Sequence, residues 1–446
     1  MIAPLPPLNI AIIGTGIAGM SAAWLLSQRH RITVYEKQKH IGGHSNTVTI
    51  PGTAGPLAVD TGFIVYNQHS YPNLTALFQH LDVPTKASDM SFAASLNGGR
   101  LEYSGTDLNG LFGQRRNLIR PRFWVMLKDV RRFYREARLL LNEASQSHQT
   151  LRDYLVTNNY SSAFVEDHLL PMGAAIWSAS TREMLAFPAT AFIRFFDSHG
   201  LLQIADRPSW RTVDGGSREY VRRMMGSIEN NIFTSCEATS VARKNNKVLV
   251  GSRKDGIREF DQAIIATHAD QALRLLNAPN TKEQTLLGAI GYSTNRTLLH
   301  RDPGLMPKRK RVWSSWNYLQ ADGAGPTASL CVTYWMNKLQ GIPNTDPLFV
   351  TLNPTTEPDE HFLLREFTYE HPQFNGDAMI AQGDLWSLQG RDGIWFCGSY
   401  FGYGFHEDAL QSGLAVAEAI GGVRRPWSVE NESSRIATPT PQSIAA

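Results

Sequence analysis

A glycine-rich turn near the start of the chain has the residue types and spacing needed to hold a nucleotide diphosphate. The sequence Gly14-Thr-Gly16-Ile-Ala-Gly19 follows a short apolar run at residues 9–13 and precedes a stretch rich in helix formers. In such a turn the first glycine allows the tight bend and the second lets the backbone approach a diphosphate, while the third permits close helix–strand packing. The N–H groups at the start of the helix then face the phosphate charge. The pattern therefore predicts a dinucleotide-binding turn.

An acidic residue at the end of the next apolar run completes this pattern. Residues 31–35 read RITVY, which is typical of a buried β-strand, and Glu36 follows 22 residues after Gly14. A carboxylate at this place accepts hydrogen bonds from the ribose hydroxyls of a dinucleotide. Because strand, glycine turn, helix, strand and acid occur in the required order, a tight turn without a ligand is a poor alternative explanation.

A second glycine pair, Gly42-Gly43, favours FAD over NAD. The sequence EKQKHIGGHSNT at residues 36–47 resembles the flavoprotein superfamily of monoamine oxidases, phytoene desaturases and protoporphyrinogen oxidases. In that superfamily a loop of two glycines and a basic residue crosses the cofactor, and nicotinamide dehydrogenases lack it. The usual arginine is replaced by His44, which removes a permanent cation and a bidentate donor.

The segment GIWFCGSYFGYGFHEDALQSGLAVAEAIGG, residues 393–422, resembles the last flavin-binding segment of the same superfamily. Cys397 matches a small residue of a strand-end turn and not a flavin-linking cysteine, so the resemblance implies non-covalent FAD. The backbone near Ala238 matches a strand that meets the adenine. The resemblance implies cofactor contacts from Gly14, Gly16, Ile17, Ala18, Gly19, Glu36, Lys37, Gly42, Gly43, His44, Ser45, Gly62, Ala238, Gly398, Ser399 and His406.

Residues next to the last flavin-binding turn are candidates for acid–base chemistry. Dehydrogenating a carbon chain needs a proton acceptor as well as a hydride acceptor, and histidine has a near-neutral reference pKa suited to that task. His406 is therefore the first candidate for a catalytic base, Glu407 the second, and Tyr400 lies close by in sequence. In the alternative, His406 supplies only a backbone N–H, and Glu407 only complements the helix dipole.

Residues 60–83, DTGFIVYNQHSYPNLTALFQHLDV, narrow the resemblance. With AAIWSAS at 174–180 and SSWNY at 314–318, they resemble the FAD domain of plant cyclopropane fatty-acid synthases and its stand-alone bacterial relatives. The resemblance implies an FAD-dependent oxidoreductase that removes a hydride equivalent, at flavin N5, from an apolar, fatty-acyl or lipid-like substrate. Two alternatives stay open: an amine oxidase, and a flavin-binding accessory protein of an acyl-modifying methyltransferase.

The elements that position these motifs come from distant parts of the chain. The fold class that they imply is α/β, with a Rossmann-like FAD-binding domain of amine-oxidase type and an inserted mixed α+β substrate domain. A helix is expected to begin after Pro72, and an antiparallel layer within residues 213–270. The expected ranges are 1–65, 205–270 and 385–425 for the FAD domain, 66–204 and 271–384 for the substrate domain, and 426–446 for a disordered, Ser/Thr/Pro-rich tail.

Composition excludes several other classes of protein. The 446 residues are 42% hydrophobic and 19% charged, with a net charge of +3, which excludes a disordered chain and gives no sign of nucleic-acid binding. The three cysteines are widely spaced and odd in number, which indicates a reducing, cytoplasmic setting without a disulfide framework. No HExxH or paired Cys/His spacing predicts a metal site. No apolar run is long enough to span a membrane.

A basic stretch at residues 115–138 is the strongest surface signal in the sequence. It holds nine Lys or Arg against two acids, with Phe123, Trp124, Leu127 and Phe133 interleaved. A basic amphipathic helix with aromatic residues suits the surface of an anionic membrane. The alternative is a solvated helix face packed on the core. Peripheral membrane contact through residues 115–138 is therefore one hypothesis, beside the solvated helix face.

Overall fold

The computed structural model describes residues 6–143, 149–203, 206–323 and 330–438. Twenty β-strands occur in these residues, numbered here in chain order. They are β1 Asn9–Ile13, β2 Arg31–Tyr35, β3 Thr47–Gly52, β4 Gly55–Asp60, β5 Val65–Asn67, β6 Thr85–Ser88, β7 Phe92–Leu96, β8 Leu101–Ser104, β9 Trp210–Val213, β10 Ile232–Phe233, β11 Ala238–Lys244, β12 Lys247–Ser252, β13 Gly256–Phe260, β14 Gln262–Ile265, β15 Gly291–His300, β16 Trp316–Leu319, β17 Cys331–Trp335, β18 Phe349–Leu352, β19 Leu363–Gln373 and β20 Ile394–Phe396.

The same described residues contain sixteen α-helices, together with short 3₁₀ turns and one π-helical turn at Val165–Leu169. They are α1 Ile17–Leu26, α2 Pro72–His80, α3 Leu108–Leu111, α4 Pro121–Glu136, α5 Leu139–Glu143, α6 Leu151–Thr157, α7 Ser162–Phe164, α8 Leu170–Trp177, α9 Thr181–Ala186, α10 Ala189–Ser198, α11 Arg218–Met225, α12 Ala269–Leu275, α13 Thr281–Gly288, α14 Met336–Gln340, α15 Gly376–Asp384 and α16 His406–Ile420.

A five-stranded parallel sheet carries the glycine turn. Its strand order is β10-β2-β1-β14-β20, so strands from distant parts of the chain lie side by side. The central strand β1 is apolar and almost fully buried because layers cover both of its faces. This sheet and its helices confirm the predicted α/β, Rossmann-like fold class.

Close helix packing holds the two ends of the described chain together on one face of this sheet. Every residue of α1 is buried. A Cβ atom at Gly413 of α16 would lie only 2.1 Å from the carbonyl oxygen of Ala18 in α1. Glycine at this position therefore allows the two helices to touch backbone to backbone.

A seven-stranded mixed sheet faces the parallel one. Its order is β19-β15-β18-β17-β16-β7-β8, and helices α4 to α10 share a hydrophobic core with it. The predicted helix after Pro72 is α2, and the predicted antiparallel layer is β11-β12-β13. The boundaries of an FAD domain and a substrate domain stay a prediction.

The expected disordered tail is wrong for residues 426–438. Trp427 stacks on Trp24 of α1 at 5.8 Å between ring centroids, and its Nε1 donates to Asn73 at 3.1 Å. Ile436 is 5% exposed and joins a core cluster, and Arg435 donates to the Ser70 carbonyl oxygen. A few large side chains thus anchor a segment whose average composition is polar. Residues 439–446 lie outside the described residues.

Among the described residues, no helix combines the length and the apolar character needed to cross a membrane.

Candidate functional site

A cavity of about 1640 Å³ lies between the carboxyl ends of the parallel strands and one face of the seven-stranded sheet. Single small-molecule sites usually measure ~300–1,000 Å³, so this cavity has room for a cofactor and a second molecule. Ligands of open parallel sheets bind at the carboxyl ends of the strands. The location therefore marks this cavity as the candidate active site.

Most of the residues expected to contact a cofactor line the cavity. These are Gly14, Gly16, Ile17, Ala18, Glu36, Lys37, Gly43, His44, Gly62, Ala238, Gly398, Ser399 and His406. Three others, Gly19, Gly42 and Ser45, lie behind this wall. Gly19 packs on the Gly14 carbonyl oxygen, and the Gly42 N–H donates to the Thr15 carbonyl oxygen at 3.1 Å.

The glycine turn leaves open space where a diphosphate would need it. A Cβ atom at Gly16 would meet no other atom within 4 Å, although Gly16 lines the cavity. Gly14 has φ +102°, a backbone angle that favours glycine. The Gly42-Gly43 loop lies against this turn, since a Cβ at Gly43 would be 3.0 Å from the Gly16 Cα. The geometry fits a diphosphate approached by backbone N–H groups at the start of α1.

Glu36 is held in place at the end of β2. Its carboxylate accepts hydrogen bonds from the Thr15 N–H at 3.0 Å, the Thr15 hydroxyl at 2.5 Å and the Gln38 N–H at 2.8 Å. The residue is buried yet lines the cavity. A carboxylate fixed next to the glycine turn fits the ribose end of a dinucleotide.

His406 begins α16 and joins that helix to the glycine-pair loop. Its ring stacks on Phe63 at 3.8 Å between centroids, and its Nε2 is 2.8 Å from the Tyr220 hydroxyl and 3.2 Å from the Ser45 hydroxyl. Burial, with a smaller effect of His44, lowers the pKa of His406 to about 3. The ring is therefore neutral at pH 7 and a weak proton acceptor. This geometry favours a positioning role over the hypothesis of a general base.

We expect His406→Gln to retain FAD and to reduce its flavin within about threefold of the native rate. A glutamine side chain can still hydrogen bond to Tyr220, and a base with so low a pKa contributes little. Anaerobic stopped-flow with a reducing substrate measures the rate. A loss of ~10²–10⁴-fold at unchanged FAD content would instead establish His406 as the base.

The position of Glu407 contradicts its assignment as a catalytic candidate. The residue is fully buried and does not line the cavity. Its carboxylate accepts hydrogen bonds from the N–H groups of Asn73 and Leu74 at the start of α2, each at 3.0 Å, and from Gln411 at 3.0 Å. An anionic side chain there satisfies donors at a helix N-terminus. Glu407 therefore joins α16 to α2 and is not placed to take a proton from a ligand.

Tyr400, the third catalytic candidate, does line the cavity. Its ring is 1% exposed, and burial raises the pKa of its hydroxyl well above the usual value. That hydroxyl is buried and has no hydrogen-bond partner among the described residues. Buried polar groups without a partner are uncommon. Tyr400 therefore contributes ring atoms to the cavity wall, while its hydroxyl oxygen is not exposed to the cavity.

Three histidines lie together in the cavity wall. His44 is 5.5 Å from His371 between ring centroids, and burial lowers the pKa of each, to about 4 and about 3. Burial likewise lowers the pKa of His268 to about 4. Nε2 of His44 is buried and has no partner in the described part of the chain. The wall thus offers neutral imidazoles to a ligand in place of a permanent cation.

Sequence reasoning missed the contribution of β19. Phe367, Tyr369 and His371 alternate along this strand and all line the cavity. The Tyr369 hydroxyl bonds to Asn46 at 2.9 Å and to Thr61 at 2.7 Å, which ties β19 to the residues after the glycine pair. The signal that could have found these residues is the alternation of aromatic and imidazole side chains along one strand face.

Cys397 lies at the end of β20 beneath the cavity wall. It is fully buried, does not line the cavity, and its N–H donates to the Ile265 carbonyl oxygen at 3.2 Å. Burial raises the pKa of its thiol. These features are consistent with non-covalent FAD. In the described residues, no group of three or more His, Cys, Asp or Glu side chains could hold a metal ion.

The opposite wall of the cavity is largely apolar. Trp177, Phe195 and Phe405 contact one another, with Phe195 and Phe405 stacked at 4.8 Å between centroids. Trp316 and Tyr334 pack edge to face at 4.9 Å further along the wall. All five residues line the cavity. This wall is suited to an apolar ligand.

A parallel sheet, a glycine turn with a ribose-type carboxylate, and a second glycine loop together define a dinucleotide-binding flavoprotein fold. The family model for flavin containing amine oxidoreductases matches residues 17–421. The chain belongs to this family, and its cofactor is therefore FAD. It is accordingly an FAD-dependent oxidoreductase.

Solved structures share the fold at low sequence identity. The conjugated-linoleic-acid-producing fatty acid isomerase from P. acnes has a TM-score of 0.65 at 15% identity, over 93% of this chain and 98% of that one. Cyclohexylamine oxidase from Brevibacterium oxydans has a TM-score of 0.64 at 16% identity, over 93% and 99%. Putrescine oxidase bound to putrescine gives the same values. A search of curated proteins found no match.

Proposed function

We propose that this oxidoreductase removes a hydride equivalent from an apolar, fatty-acyl or lipid-like substrate. The apolar wall formed by Trp177, Phe195, Phe405, Trp316 and Tyr334 is the observation that carries the proposal. Bound FAD supplies the hydride acceptor. The residues of the chain hold the cofactor at the glycine turn, orient the chain of the substrate, and exclude water from the cavity.

The acidic side chains of the cavity support this choice over an amine substrate. Among the described residues these acids are Glu36, Asp89, Glu237 and Glu370. Glu36 is bonded at the glycine turn, and Glu237 pairs with Arg253 at 2.6 Å. Asp89 accepts hydrogen bonds from the hydroxyls of Ser91 and Ser315, and Glu370 accepts one from the Gln271 side-chain amide at 3.3 Å. Each carboxylate is thus already engaged, and none is left as a dedicated partner for an ammonium group.

Lysine is also scarce in the cavity wall. In the described residues Lys37, next to the ribose-type carboxylate, is the one lysine that lines the cavity. Among the described residues, the apolar wall therefore carries no lysine. The fatty acid isomerase of the same fold shows that this architecture is used with fatty acids as well as with amines.

Anaerobic bleaching of the flavin tests the proposal. The purified protein is mixed with free fatty acids, phospholipids, simple amines and polyamines, and absorbance is followed without oxygen. Bleaching by an acyl lipid supports the proposal. Bleaching by amines, with hydrogen peroxide released in air, would identify an amine oxidase. A flavin that no compound reduces, in protein that co-purifies with an acyl-modifying methyltransferase, would identify an accessory protein.

An exposed surface next to the cavity combines apolar and basic side chains, and we propose that it contacts an anionic membrane. Such a membrane would be the source of a lipid substrate. Five large apolar side chains on this surface are exposed: Leu108, Leu118, Ile119, Trp124 and Val125. Arg115, Arg116, Arg120 and Arg122 lie among them in sequence, and Lys128 follows. Gly105 and Thr106, just before α3, and Tyr134 of α4 line the cavity. The surface and the cavity therefore share wall elements.

We expect the double variant Ile119→Ser, Trp124→Ser to lose most of its binding to vesicles containing phosphatidylserine. Each removed side chain takes away apolar area that would enter the interface, and the nearby arginines supply the attraction to anionic lipid. Co-sedimentation at low and high salt measures binding. Ile257→Ser is the matched control, because Ile257 is 72% exposed and Ile119 is 80% exposed. Equal sedimentation of all three proteins would contradict membrane contact.

The cytoplasmic setting also remains part of the proposal. Cys236, Cys331 and Cys397 are all buried and unpaired in the described residues, as expected in a reducing compartment.

A further inference from the structure

Three polar side chains from separate elements line the cavity away from the dinucleotide-binding turn. Tyr134 comes from α4, His168 from the π-helical turn, and Arg207 from the loop that precedes β9. All three line the cavity, and none belongs to the strands or loops that hold the cofactor. The cofactor therefore does not account for this polar group.

The π-helical turn positions His168. Turns of this kind are rare and occur frequently at functional sites. The Tyr103 hydroxyl donates to the Asp167 carbonyl oxygen at 2.7 Å and is 3.0 Å from Nδ1 of His168. Because Tyr103 has one proton to donate, Nδ1 of His168 carries the hydrogen in this pair. Nε2 has no partner in the described part of the chain and, in this neutral tautomer, can accept a hydrogen bond but not donate one.

Arg207 is an exposed residue at the edge of the cavity and has no acidic partner among the described residues. Its Nε donates to the Gln203 carbonyl oxygen at 2.8 Å, and no carboxylate pairs with it among the described residues. Its charge contributes, after burial, to the lowered pKa of His168, and both residues line the same cavity. It also acts on the Tyr134 hydroxyl. A guanidinium group in this state binds carboxylate or phosphate oxygens well.

An apolar row leads from this polar group toward the cofactor elements. Met172 and Ile176 follow His168 at intervals of four residues, and both line the cavity. Residues four apart lie on the same side of a helix. Trp177, at the end of the same helix, contacts Phe405, the residue before His406, at 6.5 Å between centroids. A chain laid along this row would have its polar end near His168 and its middle near α16.

We infer that Arg207 and Tyr134 bind the anionic head group, a carboxylate or a phosphate, of a substrate whose chain runs along Met172 and Ile176. The inference rests on the proposed function, and it adds that the substrate is an anionic amphiphile held by its head. The reacting bond then lies part-way along the chain, at a position set by the length of the apolar row.

Binding measurements test the head-group site separately from turnover. The FAD-loaded protein is titrated with oleate, methyl oleate and oleoyl lysophosphatidate below their aggregation limits, and the change in flavin absorbance gives dissociation constants. We expect oleate or the lysophosphatidate to bind more tightly than the methyl ester. Selectivity for the phosphate would identify a phospholipid source, and selectivity for oleate a free fatty acid.

Variants locate the effect at the proposed residues. Arg207→Gln should weaken binding of the anionic ligand by about tenfold to hundredfold and leave the methyl ester unchanged, since it removes a charged hydrogen bond. Tyr134→Phe should act in the same direction with a smaller effect. Arg365→Gln is the control, because Arg365 is exposed on β19 and does not line the cavity.

The results distinguish a failure of the head-group site from a failure of the proposed function. If acid and ester bind equally and Arg207→Gln changes neither, the head-group site is wrong while the lipid substrate stands. If no aliphatic compound binds or bleaches the flavin, the proposed function fails and the head-group site fails with it.

Discussion

The Gly16→Val protein is expected to fold as the native chain does and to purify without flavin. Gly16 has φ −62° and ψ 168°, angles that valine adopts readily. Its side chain would meet no protein atom within 4 Å and would project into the open space beside the glycine turn. That space is the one the diphosphate needs, so overlap should weaken FAD binding by ~10–100-fold or more.

Gly19→Ala is the informative partner of this variant. A Cβ at Gly19 would lie 2.1 Å from the Gly14 carbonyl oxygen, inside the protein. This variant should lose stability even without cofactor, because helix and strand are forced apart. Denaturant unfolding of the apoproteins, with FAD content measured after heat release, separates the two effects. A yellow Gly16→Val protein with one FAD per chain would mean that the diphosphate does not approach this turn.

We expect the apoprotein to lose its fold between about pH 6 and pH 4. A histidine whose pKa is lowered in the folded state binds a proton more readily when unfolded. Its contribution to stability is therefore present above the unfolded pKa of about 6.5 and is lost as pH falls. Burial is the largest cause of the lowered pKa in His44, His168, His199, His268, His300, His371 and His406.

Two buried acids oppose this trend. Burial raises the pKa of Asp60 and of Asp408 to about 6, so the folded state binds their protons more readily between about pH 4 and pH 6. Each net proton changes stability by ~1.4 kcal/mol per pH unit. The seven histidines outnumber the two acids by five protons. Several of these histidines are partly solvated by the cavity, so we count half of that difference, which amounts to about 3 kcal/mol per pH unit. That is large against a typical total of ~5–15 kcal/mol.

Thermal melts of the apoprotein from pH 7.5 to pH 4 measure this dependence. His300→Gln should flatten the curve by about one proton, because His300 is fully buried and lies outside the cavity wall. His361→Gln should leave the curve unchanged, since the His361 side chain is 92% exposed. Constant stability down to pH 4.5 would contradict the account of the buried histidines.

Local patterns predicted the part of the site that local geometry builds. The glycine turn, the carboxylate of Glu36 and the start of α2 at Pro72 each depend on residues close together in sequence, and the structure has all three. The α/β, Rossmann-like fold class was predicted from the same short motifs. Where the backbone must approach a diphosphate closely, as at Gly16, the residue has to be glycine, so the sequence itself indicates the requirement.

The errors concern residues whose role depends on distant partners. Glu407 has the charge and sequence position of a candidate catalytic base, but its partner Asn73 lies 334 residues away. The polar tail is held by Trp427, which reaches both Trp24 and Asn73. The face of β19 that completes the cavity wall belongs to a strand with no catalytic motif. Alternation along β19 marks one face of that strand, but residue spacing does not show which distant residues that face contacts.

The order of strands in the parallel sheet has a consequence for synthesis on the ribosome. The glycine turn follows β1, which is made first, but the sheet edge β20 and the covering helix α16 end only at Phe396 and Ile420. At ~5–20 residues per second, translation separates the two by roughly 20–80 s. During that interval the nascent chain exposes an incomplete cradle. The complete cradle can therefore form only after the chain has been made as far as Ile420, and a chain that ends before α16 would lack one of its walls.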